Sequence, residues 1–295
     1  MSNREQWIEA SGVLPAPERQ SLVVHSADAV ASFVQTKEYR RFVQVCEAGR
    51  RYGYIVACIG ERGVGKTWAA RQYAQWDVFG PLLSAHGVSF PPECPIPQTA
   101  FYTPKSTVTP KSLEQDLALL LWSLQLLADH ALPGGQEALP LSGRLRPAVV
   151  NMLIVDEVDR LSHPCLAVLQ DVFERERLCL VLLGRSGSAA RLLRVDALAS
   201  QTGVLHPFRT LEKVEIHTFL EQQVQRLGLS VKAEAVEVFT KKTRGNLRTM
   251  RLVLQHLDYM VERQGAFLVT GDVIEEAVGR LMNEKNVLLL RDNMR

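Results

Sequence analysis

The chain has 295 residues, 46% of them hydrophobic and 22% charged, with a formal net charge of +2. That length accommodates about two domains of roughly 100–200 residues, and the composition excludes disordered, collagen-like and coiled-coil chains. A balance so close to neutral means that any nucleic-acid contact must come from a local patch. Residues 1–30 are polar and broken by Pro15 and Pro17; they carry Glu5, Glu9, Glu18 and Asp28 with no apolar stretch. No secretory signal is visible there, and a cytoplasmic chain is expected.

From residue 31 the pattern becomes periodic. A helix is predicted over 38–50, with Phe42, Val45 and Cys46 on one side, and Tyr54–Ile59 is a short β-branched run ending at glycine, the mark of a buried strand. A helix over 66–76 follows. The Pro- and Gly-rich stretch 78–97 reads as loop, and Thr99–Thr103 as a second strand. Pro110–Lys111–Ser112 opens a long helix in which Leu113, Leu117, Leu120, Leu121, Leu124 and Leu127 recur at helical spacing; Pro133–Gly134–Gly135 ends it. Then come strand Val149–Val155, helix 164–176, strand Leu178–Leu183, helix 188–199 and a short strand near Val204–Pro207. Strands alternating with helices predict an α/β fold, a parallel sheet sandwiched by helices, over residues 31–210.

After residue 211 no strand is expected. Helices over 215–228, 232–242, 246–263 and 271–282 predict a small all-helical subdomain, 211–282. Residues 1–30 and the tail 283–295 are then candidate docking segments for partners. The longest apolar runs fall far short of the roughly 18 residues of a membrane span, so no membrane partner is expected. The cysteines, Cys46, Cys58, Cys94, Cys165 and Cys179, have irregular spacings without a CxxC pair. Reduced, buried thiols are expected rather than a zinc site. Trp7, Trp68, Trp76 and Trp122 have apolar neighbours, and core packing is expected of them.

Two motifs carry chemistry. Gly60-Glu61-Arg62-Gly63-Val64-Gly65-Lys66-Thr67 is a complete GxxxxGK[ST] loop between a predicted strand and a predicted helix. Its glycines let backbone N–H groups wrap phosphates, with the positive end of the helix behind them; Trp68 follows in the first helical turn. Lys66 is the group for the β/γ oxygens and the Thr67 hydroxyl for Mg²⁺. The second motif, Met152–Val155 followed by Asp156 and Glu157, is an apolar strand that delivers two carboxylates to the sheet edge where open α/β folds place ligands. Asp156 fits a Mg²⁺ ligand, and Glu157 the base that activates the attacking water. The cofactors expected are ATP and Mg²⁺, and no guanine-reading NKxD motif is present.

With both motifs in place, the chain resembles the AAA+ ATPases. Asp156–Glu157–Val158–Asp159–Arg160–Leu161 looks like the variants of the initiator-related branch. Leu180-Val-Leu-Leu-Gly184 takes the place of the sensor-1 strand, and Gly245-Asn246-Leu247-Arg248 looks like the sensor-2 GxxR, which implies that Arg248 leans from a helical lid onto the γ-phosphate. Over residues 30–282 the arrangement is most similar to transposition regulators of the MuB/TnsC type. That resemblance implies an ATP-dependent homo-oligomer, a hexameric ring or helical filament. It would bind double-stranded DNA through sequence-nonspecific backbone contacts and recruit or activate a transposase with target-selection proteins. Two positions depart from the pattern: Arg185 stands where sensor 1 offers a small polar group, and Ser200-Gln201 where the trans-acting arginine lies. Arg191 and Arg194 are the substitute candidates for that arginine, and slow, assembly-linked hydrolysis is the expectation.

Phe101–Lys111 reads FYTPKSTVTPK, with two lysines, four Ser or Thr residues and no acid. The resemblance implies that this segment, after the second strand, faces a central pore and contacts backbone phosphates, which makes Lys105, Thr107, Thr109 and Lys111 the candidate contacts, groups that position DNA without reading bases. Competing readings are a helicase loader or replication-initiator-like ATPase, and a regulatory ATPase that switches a protein partner without DNA.

Overall fold

The computed structural model describes residues 34–84, 95–131, 149–264 and 268–292. Helix α1 (Lys37–Tyr52) starts at Thr36, whose hydroxyl accepts the Tyr39 N–H at 3.1 Å, and stops at Gly53, left-handed at φ 69°. Strand β1 (Ile55–Gly60) leads through the glycine-rich loop into α2 (Lys66–Tyr73). The helix predicted to 76 breaks at Gln75 (φ 49°), and a further helix, α3 (Trp76–Ser84), occupies part of the stretch read as loop. Pro81 lies inside α3 and removes one N–H, but Phe79 is buried and Leu82 and Leu83 pack on the same core, so burial outweighs the missing bond. Residues 85–94 lie outside the described residues.

Strand β2 (Thr99–Tyr102) precedes α4 (Pro110–Ala131), then come β3 (Met152–Val155), a 3₁₀ turn at Val158–Arg160 and α5 (His163–Glu176). The Pro-Gly-Gly stop predicted after α4 lies outside the described residues. After β4 (Cys179–Gly184) the single helix predicted over 188–199 is two short ones, α6 (Ser188–Leu192) and α7 (Asp196–Gln201), which lead into β5 (Thr202–Phe208).

The five strands form one parallel sheet in the order β2-β3-β4-β1-β5. Alternation along β1 splits the core: Ile55, Ala57 and Ile59 face the α4/α5 side with Leu113, Leu117 and Leu153, whereas Val56 and Cys58 face Phe42 of α1 and Ala69–Ala70 of α2. Trp122 departs from expectation, being 61% exposed on α4; the buried stripe of that helix is filled by leucines on its other side. Trp68 and Trp76 do pack against apolar clusters, and Trp7 lies outside the described residues.

The C-terminal part comprises α8 (Lys213–Arg226), α9 (Ala233–Thr243), α10 (Leu247–Gln264) and α11 (Gly271–Asp292) around their own core of Phe219, Leu220, Phe239, Met250 and Leu257. It is not wholly helical, because Ser230–Val231 and Leu268–Val269 pair as short parallel strands, β6 and β7. Helix α11 runs ten residues past the predicted end at 282. The hinge into this subdomain is pinned to the start of α1. Lys37 donates its N–H to Glu215 at 2.7 Å and its ammonium to Glu212 at 2.6 Å, and the buried Glu38 carboxylate accepts the Arg209 N–H at 3.1 Å. Among the described residues no helix is long and apolar enough to cross a membrane.

Candidate nucleotide-binding site

The loop after β1 turns on two left-handed glycines, Gly63 at φ 82° and Gly65 at φ 107°, conformations that a Cβ would strain. Space forbids a side chain as well: a Cβ on Gly63 would sit 2.4 Å from Asn246 Oδ1, and one on Gly65 2.6 Å from Leu247 Cδ1. Val64 is buried and anchors the loop tip. The Lys66 ammonium folds into the loop, donating to the Gly60 and Glu61 carbonyls at 2.7 Å each. Burial holds its pKa below the ordinary lysine value, opposed by the charges of Asp156 and Asp159 and reinforced by Arg248.

Opposite the loop, Asp156 stands one residue past β3. It is 3% exposed, and its N–H continues the β2–β3 ladder to the Tyr102 carbonyl at 2.8 Å. Its carboxylate accepts the Glu157 N–H at 2.8 Å and the Thr67 hydroxyl. Burial pushes its pKa up, against the lowering effect of those two hydrogen bonds. Thr67 and Asp156 thus pair two hard oxygen groups at the end of the loop, the donor chemistry that Mg²⁺ takes when phosphates and water complete its shell. Among the described residues no cluster of three or more His, Cys, Asp or Glu side chains forms an all-protein metal cage.

Glu157 adopts a left-handed backbone, φ 49°, and its carboxylate pairs with Arg160 at 2.6 Å. The turn that follows is braced twice more. Arg185 pairs with Asp159 at 2.9 Å, and the Arg191 guanidinium donates to the carbonyls of Val158, Asp159 and Leu161.

The C-terminal subdomain closes directly on the loop. Asn246 Nδ2 donates to the Arg62 carbonyl at 2.8 Å, and the Arg248 N–H to the Gly63 carbonyl at 3.0 Å. Asn246 Oδ1 also accepts the Thr249 N–H at 3.2 Å, which makes it the N-cap of α10. Gly245, at φ 71°, lets Leu211 N–H reach its carbonyl at 3.0 Å; a Cβ there would meet Leu211 O at 2.3 Å.

This glycine-loop, strand-end carboxylate and docked helical subdomain, on a sheet ordered β2-β3-β4-β1-β5, matches solved structures. The chain superposes on the Thermotoga maritima RuvB Holliday junction branch migration motor with a TM-score of 0.55 at 17% identity, covering 84% of this chain and 70% of that one. The Aeropyrum pernix ORC1 protein in complex with DNA gives 0.55 at 16%, covering 84% and 66%. Domain III of the Thermotoga maritima replication initiation protein DnaA gives 0.52 at 15%, covering 85% and 95%. The chain shares the fold of these three proteins. Residues 50–193 match the family model described as AAA domain. A Staphylococcus aureus protein described as a potential ATP-binding protein is 28% identical over 259 residues, which cover 83% of this chain and 95% of that protein.

On this framework Lys66, Thr67, Asp156, Glu157 and the 245–248 segment meet at one edge of the sheet. The loop residues Glu61 and Arg62 are exposed, and Trp68 turns toward the core of the helical subdomain. Arg191 and Arg194 are both exposed, but the Arg191 guanidinium is bound to carbonyls of the turn. Of the basic stretch, Lys105 is 74% exposed at its side chain and pairs with Asp116 at 3.2 Å, and Thr107 and Lys111 are exposed. The Thr109 hydroxyl is committed to the start of α4, accepting the Ser112 N–H at 3.2 Å while Ser112 Oγ accepts the Thr109 N–H at 3.0 Å. Asn246 and Arg160 lie inside motifs read from the sequence, but the sequence assigned neither a role of its own. An Asn directly after a helix-breaking glycine is the N-cap signal that marks the first; opposite charges three residues apart mark the second.

Proposed function

We propose that this chain is an ATP-dependent, DNA-binding regulator of DNA transposition, an ATPase that oligomerises on target DNA and recruits or activates a transposase. The observation that carries the reading is the double engagement of the phosphate loop. Asp156, at the end of β3, meets the loop's Thr67 from the sheet, and Asn246 and Arg248 close the loop from the helical subdomain through its own carbonyls. A nucleotide seated in that loop changes both contacts together, which is the coupling that a nucleotide-switched assembly needs.

In this reading the loop amides from Gly60 to Thr67 and the Lys66 ammonium hold the phosphates of ATP. Thr67 and Asp156 hold Mg²⁺, which when bound neutralises phosphate charge. Glu157 accepts the proton of the attacking water, and Arg248 reaches the γ-phosphate from the subdomain. Arg194 is the better placed of the two trans-arginine candidates, because Arg191 already serves carbonyls of its own chain. Lys105, Thr107 and Lys111 contact backbone phosphates beside the same sheet edge; the complex of ORC1 with DNA supports a DNA role for this fold. The similarity to MuB/TnsC regulators supplies the transposase.

Electron microscopy on long duplex DNA, with and without a non-hydrolysable ATP analogue, tests this. Rings or filaments that coat DNA only with nucleotide, and that fall away steeply as salt is raised, are the expected result. Particles that ignore DNA in both conditions would refute the reading in favour of a protein-partner switch.

A further inference from the structure

Residues 206–211 carry the chain from β5 into the helical subdomain and reach both sides of the nucleotide loop. Phe208 is level with Gly60, the first glycine of that loop, and a Cβ on Gly65 would meet its ring at 4.0 Å. Leu211 donates its N–H to the Gly245 carbonyl, directly before Asn246. Between these two anchors the Arg209 N–H is held by α1. Glu38, 5% exposed, accepts it on Oε2 at 3.1 Å, while Oε1 accepts Arg41 Nη1 at 2.6 Å. His206, 10% exposed, is aimed at the same carboxylate. Its Nε2 lies 3.7 Å from Glu38 Oε2, too far for a hydrogen bond, and is buried with no hydrogen-bond partner. An orphaned buried nitrogen is costly, and protonation would give this one an ion-pair partner. The ring also makes a T-shaped contact with Phe208, centroids 5.8 Å apart. The titratable and charged groups around it are Glu38 and Arg41 from α1, Arg209 after β5, and Cys58 of β1, level with it, a thiol whose pKa burial raises. Lys37 of α1 is engaged with Glu212 and Glu215. Burial lowers the His206 pKa below the ordinary histidine value, opposed by the Glu38 charge and reinforced by Arg41 and Arg209. At neutral pH the ring is therefore neutral, and Oε2 belongs to Arg209.

We propose that Glu38 is a positioning residue for the nucleotide site and that His206 makes its hold on the linker depend on protons. When the ring takes up a proton, the imidazolium draws Oε2 to itself and away from the Arg209 N–H. The linker 209–211 loses its tie to α1, and the grip of Asn246 and Arg248 on the loop carbonyls loosens with it. Nucleotide binding therefore weakens in acid through residues that touch no nucleotide. Burial sets the sign for stability as well. The folded chain binds this proton less readily than the unfolded one, so stability is full above the ordinary histidine value of about 6.5 and falls as pH drops from there toward the folded value. The inference rests on the nucleotide-binding reading above.

The test compares the full chain as wild type, His206→Gln and Glu38→Gln from pH 8 down to about pH 5.5. The readouts are affinity for a fluorescent ATP analogue, hydrogen exchange of the 205–212 peptide, and thermal melting. Setting each variant against wild type at the same pH cancels titration of the phosphates and the pH dependence of intrinsic exchange. Relative to His206→Gln, wild type is expected to bind nucleotide equally at pH 8 and about five- to tenfold more weakly at pH 5.5, the loss of one charge-assisted hydrogen bond. In acid alone, its linker amides exchange faster than those of His206→Gln and its melting temperature falls further. Glu38→Gln still accepts the Arg209 N–H through its amide oxygen but offers no charge to the ring, so it too lacks the acid response. Identical pH profiles in wild type and His206→Gln overturn the proton dependence. An acid response retained in Glu38→Gln overturns the part given to Glu38. Should none of the three bind nucleotide at pH 8, the nucleotide reading fails, and equal linker exchange in wild type and His206→Gln overturns the proton dependence on its own.

Discussion

Asn246 serves two elements at once, and two substitutions separate the roles. Its Oδ1 caps α10 and its Nδ2 holds the Arg62 carbonyl at 2.8 Å. Asn246→Ala removes both: about 1 kcal/mol for the cap and about 1 kcal/mol for the hydrogen bond, so a loss of about 2 kcal/mol is expected. Asn246→Asp keeps an equally good cap acceptor but places an oxygen against the carbonyl where a donor stood. Its α10 therefore stays capped while the contact between subdomain and loop is lost. The loss should appear in nucleotide affinity, since the same carbonyls line the loop that receives the phosphates. One bond's worth of uncoupling, with the added charge beside the phosphates, corresponds to about five- to thirtyfold weaker binding, or about 1–2 kcal/mol. Urea denaturation and titration with a fluorescent ATP analogue measure the two effects. Wild-type nucleotide affinity in Asn246→Asp would refute the coupling. Equal stability losses in the two variants would refute the cap.

The other expectations follow from the same site and core. Glu157→Gln should bind ATP as the wild type does yet hydrolyse it about 10²–10⁴-fold more slowly, and parallel loss of binding would show that Glu157 holds the site together instead. Burial raises the Asp156 pKa above that of the unfolded chain, so the native state holds its proton more tightly; the resulting stability is present below the unfolded value and is lost as pH rises through the folded one. At pH 7 the ionised carboxylate therefore costs stability, and Asp156→Asn should melt higher than wild type at neutral pH, with the gap narrowing in acid, while Mg²⁺-dependent nucleotide binding fails. A lower melting temperature at pH 7 would contradict the sign. Burial pushes the Cys179 thiol up to about 12 and raises Cys46 and Cys58 as well. A maleimide or disulfide reagent at pH 8 should therefore leave these three unmodified until the protein is unfolded, which mass spectrometry of labelled peptides would establish.

The parts of the site that could be read from the sequence are those contiguous in the chain. Gly60–Thr67 is eight consecutive residues whose glycine positions are dictated by backbone geometry, and Asp156–Glu157 follow a strand whose apolar run is its own signal. Strand order left no such trace, since it depends on crossovers between distant segments. Where the reading failed, a local rule had been applied where burial decides. Pro81 argued against the helix that Phe79 holds down. Trp122 looked like core because it is large and apolar, yet it lies about 200° around the helix from Leu124, on the side that the leucine stripe leaves to solvent. Strands β6 and β7 are two residues each, too short to show alternation. The costliest feature of the site was hidden most completely. A non-glycine residue held left-handed costs of order 1–3 kcal/mol and persists only where its surroundings over-determine it. In the sequence Arg160, Arg185 and Arg191 are scattered charges on what pass for exposed faces. In the fold all three converge on the turn after Glu157, Arg160 on its carboxylate, Arg185 on Asp159 and Arg191 on three backbone carbonyls, and that bracing is what holds the left-handed backbone of Glu157 in place.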